Sequence, residues 1–179
     1  VPLWDEFSSS PHEREEAREA LGFCDDFHVL VAGGKSAVIN EELFDATRVA
    51  LIRAVKPKHM SCQIHLALHP GDKTNPSAYE MHGEVESCSR FTSSYVLKAS
   101  DLLVSSFSTL SIEAACGGIA SIDYISIMAL ERFRRSTGTL EWPPITRGLT
   151  DAAYSVPQLS RMITGAIYSN DHISRFNVR

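Results

Sequence analysis

The stretch of sequence that decides the fold is ASDLLVSSFSTLSIEAACGGIASIDYI, residues 99–125. It begins with an apolar run, Asp101–Ser105, and continues through a turn rich in hydroxyl groups into a helical segment, Thr109–Cys116. Gly117-Gly118 then end the helix, and a second apolar run follows at Ile119–Ile125. Short apolar runs bounded by turns are typical of strands that are buried on both faces, as in parallel sheets. The stretch therefore predicts a strand, a helix and a second strand of one parallel sheet.

The same alternation of strands and helices continues on both sides of this stretch. The predicted strands are Phe27–Ala32, Met60–Leu68, Arg90–Thr92, Asp101–Ser105 and Ile119–Ile125. The predicted helices are Pro11–Leu21, Asn40–Ala54, Ser77–Glu84, Ser94–Lys98, Thr109–Cys116, Ile127–Arg135 and Val156–Tyr168, and residues 137–149 are expected to form an ordered loop. Repeated alternation with short connections favours an α/β fold, a doubly wound parallel sheet in a single Rossmann-like domain.

Length and charge narrow the possible functions. The 179 residues fit one domain over 1–179, with its core at about 10–168, because single domains usually have about 100–200 residues. The 17 basic and 22 acidic side chains give a net charge of -5, whereas a general binder of nucleic acid is expected to be basic. We therefore expect no nucleic-acid partner. Residues 131–179 carry seven basic and four acidic side chains; they either face an acidic ligand or form an ordinary solvated surface.

The cysteines and the hydropathy pattern point to a cytoplasmic protein without metal. Cys24, Cys62, Cys88 and Cys116 lie far apart, with no C-x-x-C pair and no histidine at ligand spacing. Scattered cysteines in a chain of this size are typical of reduced, intracellular proteins. No apolar run approaches the roughly 20 residues that a membrane helix needs, and no signal peptide is visible.

Two of the predicted strands end in loops that carry candidate ligand-binding residues. The first loop contains Gly33, Gly34 and Lys35, where the glycines allow a ligand to approach the backbone and the lysine can meet a phosphate. It matches neither common nucleotide fingerprint, so the glycines can equally serve turn geometry alone. The second loop begins at His69, which is followed by Pro70 and can donate to a phosphate or transfer a proton. The alternative for this loop is a tight turn in which His69 only packs.

The third loop is the most informative, because hydroxyl side chains occupy five of the seven positions from Ser105 to Ser111. Free backbone N–H groups at the start of the following helix, together with Ser108 and Thr109, can hold a diphosphate without basic side chains. Glu113 lies one turn further on, where a carboxylate can accept both hydroxyls of a ribose. The alternative is that Ser108 only caps the helix and Glu113 is a surface residue.

These residues resemble the C-terminal half of GT-B nucleotide-sugar glycosyltransferases and of the related sugar-nucleotide 2-epimerases. Ala99 and Asp101, Ser105, Ser108-Thr109, Glu113 and Gly118 follow that family's pattern in order. The resemblance is specific over residues 99–125 and extends in layout over 25–168. It implies that the domain is one GT-B lobe.

The resemblance also implies roles for individual residues. Ser106, Ser108, Thr109 and the adjoining backbone to Leu110 would hold the diphosphate, and Glu113 the ribose. His69, as the candidate catalytic residue, and the loop of Gly33, Gly34 and Lys35 would line the cleft. The reaction implied is transfer of a sugar from an NDP-sugar, such as a UDP-sugar. No cofactor is expected, and no metal either, since no D-x-D motif is present to hold one.

Two alternatives stay open at this point. The chain can be half of an enzyme similar to UDP-GlcNAc 2-epimerase, or a nucleotide-binding or interaction module without catalysis. The GT-B architecture needs two lobes, whereas this chain starts at Val1 without Met and has the length of one. We therefore expect a partner subunit or a missing N-terminal lobe to complete the enzyme.

Overall fold

The computed structural model describes residues 11–23, 26–55, 61–82, 84–85 and 92–168. The strands are β1 (Phe27–Ala32), β2 (Cys62–Ala67), β3 (Glu84–Val85), β4 (Leu102–Ser105), β5 (Ala120–Tyr124) and β6 (Asp151–Ala153). The helices are α1 (Pro11–Leu21), α2 (Ala37–Val55), α3 (Ser93–Ala99), α4 (Leu110–Cys116), α5 (Ile127–Thr137), α6 (Pro143–Thr146) and α7 (Val156–Tyr168). None of the helices in these ranges is both long and apolar enough to cross a membrane.

All six strands belong to one parallel sheet in the order β3-β2-β1-β4-β5-β6. From β1 the chain proceeds outward to β2 and β3, and it then returns to the other side of β1 to build β4, β5 and β6. The carboxyl ends of β1 and β4 therefore lie side by side, with Ala32 opposite Ser105. In open α/β sheets a ligand crevice forms where the connections diverge in this way.

Helices cover both faces of the sheet, because alternate residues of the buried strands point to opposite sides. On one face Val29 and Val31 of β1 pack with Phe44 of α2 and Leu159 of α7. On the other face Leu30 packs in the cluster formed with α3 and α4. The prediction of a doubly wound parallel sheet is therefore confirmed.

Helix α1 is fixed to the amino ends of the strands by charged groups. Arg14 and Arg18 both pair with the carboxylate of Asp101, the residue before β4. Asp101 Oδ2 also accepts a hydrogen bond of 2.8 Å from the backbone N–H of His28 in β1. These contacts place α1 at the edge of the sheet opposite the predicted ligand loops.

Several predicted elements need correction. The helix predicted over Ser77–Glu84 is a single 3-10 turn, Pro76–Ala78. Thr92 does not belong to a strand but caps α3, where its side chain accepts from the N–H of Tyr95; Arg90 and Phe91 lie outside the described residues. The segment expected to be a loop contains α6, which begins with two prolines in its first turn. Edge strand β6 was missed because three residues are too few to show a strand pattern.

Candidate functional site

A cleft of about 340 Å³ opens at the carboxyl edge of the sheet, between the β1–α2 loop, the β4–α4 loop and α5. It lies at the divergence of the connections from β1 and β4, the expected ligand position for this topology. The lining residues are Gly34, Lys35, Ser36, Ile39, Ser106, Phe107, Ala129, Arg132, Phe133 and Ser136. The structure thus brings together Gly34, Lys35 and Ser106 of the predicted site residues.

The polar groups of this cleft suit an anion. Lys35 and Arg132 are both exposed, and within the described ranges neither pairs with a carboxylate. The hydroxyl oxygen of Ser106 is buried and has no hydrogen-bond partner among the described residues. A buried polar atom without a partner costs about 1–3 kcal/mol. A phosphate oxygen that accepts from this hydroxyl would remove that cost, in a cleft that Lys35 and Arg132 also line.

The two glycines of the first loop have different surroundings. A Cβ atom on Gly33 would lie 3.0 Å from both Asn40 Oδ1 and the Phe44 ring, whereas one on Gly34 would meet nothing within 4 Å. Buried Asn40 accepts from the N–H of Gly34 at 2.7 Å and donates to its carbonyl at 2.9 Å. Gly33 is therefore required by packing, while Gly34 leaves open space at the cleft.

Asn40 also joins the first loop to the second. Its Nδ2 donates to Asp72 Oδ2 at 2.7 Å, and the Tyr79 hydroxyl donates to the same oxygen at 2.9 Å. The Thr74 N–H donates to Asp72 Oδ1 at 2.9 Å. Burial raises the pKa of Asp72, but the hydrogen bonds from Thr74, Tyr79 and Asn40 outweigh it, so that the pKa is lowered overall. The ionised form of Asp72 is therefore part of the structure of both loops.

His69 lies beside the cleft and not in its lining. Its Nδ1 accepts a hydrogen bond of 2.8 Å from the Gly71 N–H. The neutral imidazole therefore carries its proton on Nε2, where it can be donated to a ligand. A Cβ atom on Gly71 would lie 3.1 Å from His69 Nδ1 and 3.2 Å from Lys35 Cγ, so the two loops are in contact here. A catalytic role for His69 stays a prediction.

The third loop uses part of its hydrogen-bonding capacity internally. The Ser108 hydroxyl accepts from the N–H of Leu110 at 3.3 Å, and the Ser108 carbonyl accepts from the N–H and hydroxyl of Ser111. The side chain of Leu110 is buried in the core. In the described part of the chain, the N–H groups of Ser108 and Thr109 have no acceptor. The predicted diphosphate site at this loop therefore rests on two free amides, and it stays a prediction.

Glu113 is not brought into the same cleft. Its side chain is half-buried and points to α3, where Ser94 Oγ donates to Glu113 Oε2 at 2.6 Å. This bond uses only one of the acceptor positions of the carboxylate, so Glu113 can still accept from other donors. The ribose-binding role of Glu113 stays a prediction.

Asp123 is a site-associated residue that the sequence analysis missed. It is fully buried behind the β4–α4 loop and accepts from Ser105 Oγ at 2.7 Å, the Phe107 N–H at 3.1 Å and Trp142 Nε1 at 2.9 Å. Burial raises the pKa of Asp123, against the opposing effect of these three hydrogen bonds. A carboxylate in an otherwise apolar strand, as in SIDYI, is the signal that could have found it.

Aromatic rings form one wall of the cleft. Phe107 stacks on Phe133 with ring centroids 4.2 Å apart, and Trp142 meets both rings edge-on. The backbone of Phe107 has φ +54°, a conformation that residues other than glycine rarely adopt. The basic excess of residues 131–179 pointed to the segment that supplies Arg132 and Phe133, but sequence could not place α5 against the cleft.

Comparison with known proteins supports the fold. No protein-family model and no curated protein sequence matches the chain. Among solved structures, it aligns with the C-terminal domain of a glycosyl transferase group 1 family protein, LpcC, from Francisella tularensis. The TM-score is 0.62 at 10% identity, over 98% of this chain and 92% of that one.

Two further solved structures are longer proteins. UDP-GlcNAc 2-epimerase from Neisseria meningitidis aligns with a TM-score of 0.62 at 12% identity, over 93% of this chain and 44% of that one. The wall teichoic acid polymerase TagF aligns with a TM-score of 0.56 at 14% identity, over 94% and 42% respectively. The chain therefore spans less than half of either protein. The predicted resemblance to one GT-B lobe is confirmed at the level of the fold.

Proposed function

We propose that this domain binds the diphosphate of a nucleotide sugar in the cleft between the β1–α2 and β4–α4 loops. As one lobe of a GT-B glycosyltransferase, it would hold the donor while the sugar is transferred to an acceptor. The observation that carries the proposal is the convergence of Lys35, Arg132 and the unpartnered Ser106 hydroxyl on one cleft at the carboxyl ends of β1 and β4.

These groups suit the chemistry of a departing diphosphate. Negative charge accumulates on the diphosphate as the bond to the sugar breaks, and fixed cations and hydrogen-bond donors lower the energy of that state. Lys35 and Arg132 supply charge, and the Ser106 hydroxyl supplies a donor. His69 Nε2, in the loop that contacts Lys35, can add a proton or a hydrogen bond. The free N–H groups of Ser108 and Thr109 offer further donors beside Ser106.

An epimerase half is the second candidate, because the Neisseria meningitidis enzyme of the same fold is bound to UDP-GlcNAc in its solved structure. Such an enzyme would use the same cleft for UDP. The two candidates therefore agree on the ligand and differ in the reaction. A binding module without catalysis would share the cleft as well.

All of these proposals require the cleft to bind UDP. Isothermal titration calorimetry of UDP with the purified chain tests this requirement. We expect weak but measurable binding of UDP and weaker binding of UMP, which lacks the second phosphate. Lys35→Ala and Arg132→Ala should each weaken UDP binding about threefold to tenfold, since both charged groups are partly exposed to water.

Arg135→Ala is the matched control for this experiment. Arg135 lies on the same helix as Arg132, but it pairs with Glu131 and does not line the cleft. Its substitution changes the net charge by the same amount and should leave UDP affinity unchanged. Equal losses for Arg132→Ala and Arg135→Ala, or equal affinities for UDP and UMP, would contradict a diphosphate site in this cleft.

A further inference from the structure

Asp123 is the most deeply buried charged group near the cleft, and it does not line the cleft itself. Its side chain comes from β5, in register with Ser105 at the end of β4. A buried carboxylate is tolerated only where donors satisfy its oxygens. The identity of those donors therefore shows what Asp123 does for the fold around it.

The three donors come from two separate segments of the chain. Asp123 Oδ1 accepts from the Ser105 hydroxyl and from the Phe107 N–H. Asp123 Oδ2 accepts from the indole N–H of Trp142, just before α6. One carboxylate thus joins the β4–α4 loop to the segment that ends in α6.

Ser106 lies between the two residues that share Oδ1. Because Ser105 and Phe107 are both held by the same oxygen, the backbone of Ser106 is fixed from either side. The bond to the Phe107 N–H also stabilises the unfavourable φ of +54° at that residue. The aromatic contact of Phe107 with Phe133 and Trp142 then completes the wall of the cleft.

We propose that Asp123 is a positioning residue for the anion cleft, and that a carboxylate at this position is required to keep Ser106 and Phe107 in place for the ligand. The inference rests on the proposed function for its ligand but not for its structural part. Asp123 touches no ligand and acts through the β4–α4 loop.

The requirement for a carboxylate follows from the donors. The Phe107 N–H and the Trp142 N–H can only donate, and they approach different oxygens of Asp123. An asparagine has one oxygen and one NH2 group, so in either orientation it would set the NH2 group against one of these N–H groups. The isosteric change Asp123→Asn therefore breaks the arrangement, although it alters neither size nor shape.

Removing the indole N–H of Trp142 should allow an asparagine at position 123 without a clash between N–H groups. In the double variant Asp123→Asn/Trp142→Phe, the NH2 group can lie beside the phenyl ring introduced in place of the indole, while the amide oxygen still accepts from Phe107 and Ser105. Trp142→Phe alone keeps the carboxylate and is the matched control. We expect Asp123→Asn to disrupt the hydrogen bonds around position 123 and the double variant to restore the bond to Phe107.

Two measurements on the full chain test this pattern. Hydrogen exchange at the Phe107 amide, followed by NMR, reports the loop in the free protein. In Asp123→Asn we expect either this amide or the indole N–H of Trp142, whichever faces the new NH2 group, to exchange about tenfold faster or more, and UDP affinity to fall by a similar factor, as for loss of a hydrogen bond to a charged group. Trp142→Phe and the double variant should stay within about threefold of the wild type in exchange at the Phe107 amide, since each keeps that bond. In UDP affinity the double variant should match Trp142→Phe, because both lack the indole beside Phe107 and Phe133.

The outcomes separate this proposal from the proposed function. If the wild-type chain does not bind UDP, the proposed function fails, and exchange at the Phe107 amide still decides whether Asp123 holds the loop. Wild-type exchange at both the Phe107 amide and the Trp142 indole N–H in Asp123→Asn, or a fast-exchanging Phe107 amide in the double variant, overturns the positioning role. If the wild-type chain binds UDP, faster exchange in Asp123→Asn with unchanged UDP affinity also overturns the positioning role. If Asp123→Asn alone does not fold, a folded double variant with a protected Phe107 amide supports the role and an unfolded one overturns it.

Discussion

At the scale of single residues, Gly33 and Gly34 are neighbours in sequence but face different constraints. Gly33 packs against Asn40 and Phe44, which also hold the N-terminal half of α2 in the core. Gly34 faces the cleft, with free space where a side chain would project. The two glycines form one motif in the sequence, but Gly33 is required by packing and Gly34 faces the cleft.

This difference predicts opposite effects for the two alanine substitutions. Gly33→Ala should lower the free energy of unfolding by about 1–3 kcal/mol, because the new methyl group meets atoms of a packed core. Gly34→Ala should change stability little but weaken UDP binding, because the methyl group occupies space at the cleft. Chemical denaturation and calorimetry on both variants measure the two effects. A loss of stability in Gly34→Ala that matches that of Gly33→Ala would contradict the assignment.

The sequence could predict those cleft residues that lie in loops directly after strands. Gly34, Lys35 and Ser106 were found because the carboxyl ends of parallel strands meet at one edge. Arg132 and Asp123 could not be found by this rule. Arg132 lies in the middle of α5, and the role of Asp123 depends on Trp142, which is brought to it only by the path of the chain after α5.

At the scale of elements, the start of α2 joins two loops through a single side chain. Asn40 binds Gly34 in the first loop and Asp72 in the second. Asp72 in turn holds Thr74 and Tyr79, so the segment between β2 and β3 depends on its carboxylate. The position of His69 is set by the same segment.

The lowered pKa of Asp72 predicts how the stability of this segment depends on pH. A carboxyl group whose pKa is lower in the folded protein than in the unfolded chain stabilises the fold above its ordinary pKa. That contribution is lost as the pH falls through the lowered value. The melting temperature of the wild type should therefore exceed that of Asp72→Asn at pH 7, and the difference should shrink below about pH 4, near the ordinary pKa of aspartate.

Asp151→Asn is the matched control for the pH experiment, since Asp151 is exposed on the edge strand β6. Its melting temperature should follow the wild type throughout. A difference between wild type and Asp72→Asn that stays constant from pH 7 to pH 3 would show that the hydrogen bonds of Asp72 do not depend on its charge.

The elements that the sequence predicted well are those buried on both faces. Strands β1 and β4 consist mainly of buried apolar residues, and their predicted ranges agree with the structure to within one residue. The short elements β6 and α6 bury few side chains and carry almost no periodic signal. Strand β6 forms by pairing with β5, which lies far from it in sequence.

At the scale of the whole molecule, several exposed apolar side chains belong to segments near the carboxyl edge of the sheet. Val38 at the start of α2, Met81 after the 3-10 turn, and Ile127 and Met128 at the start of α5 are 46–79% exposed. This is the edge at which the cleft opens. A second lobe facing this edge, as the proposed function requires, would cover both the cleft and these side chains.

Turnover should require both lobes of such an arrangement. If a nucleotide-sugar donor binds in this cleft as proposed, Lys35, Arg132 and Ser106 hold its diphosphate, but within the described residues no second domain faces it to hold an acceptor. We therefore expect the chain by itself to bind UDP-GlcNAc weakly and to release no sugar at a measurable rate.

A longer protein that contains this chain and a second lobe should turn over, and the products identify the reaction. Dependence on an added acceptor supports a transferase, whereas release of N-acetylmannosamine without one would favour the epimerase. Turnover by the isolated chain would contradict the need for a second lobe, because the acceptor would then have to bind to the one domain described here.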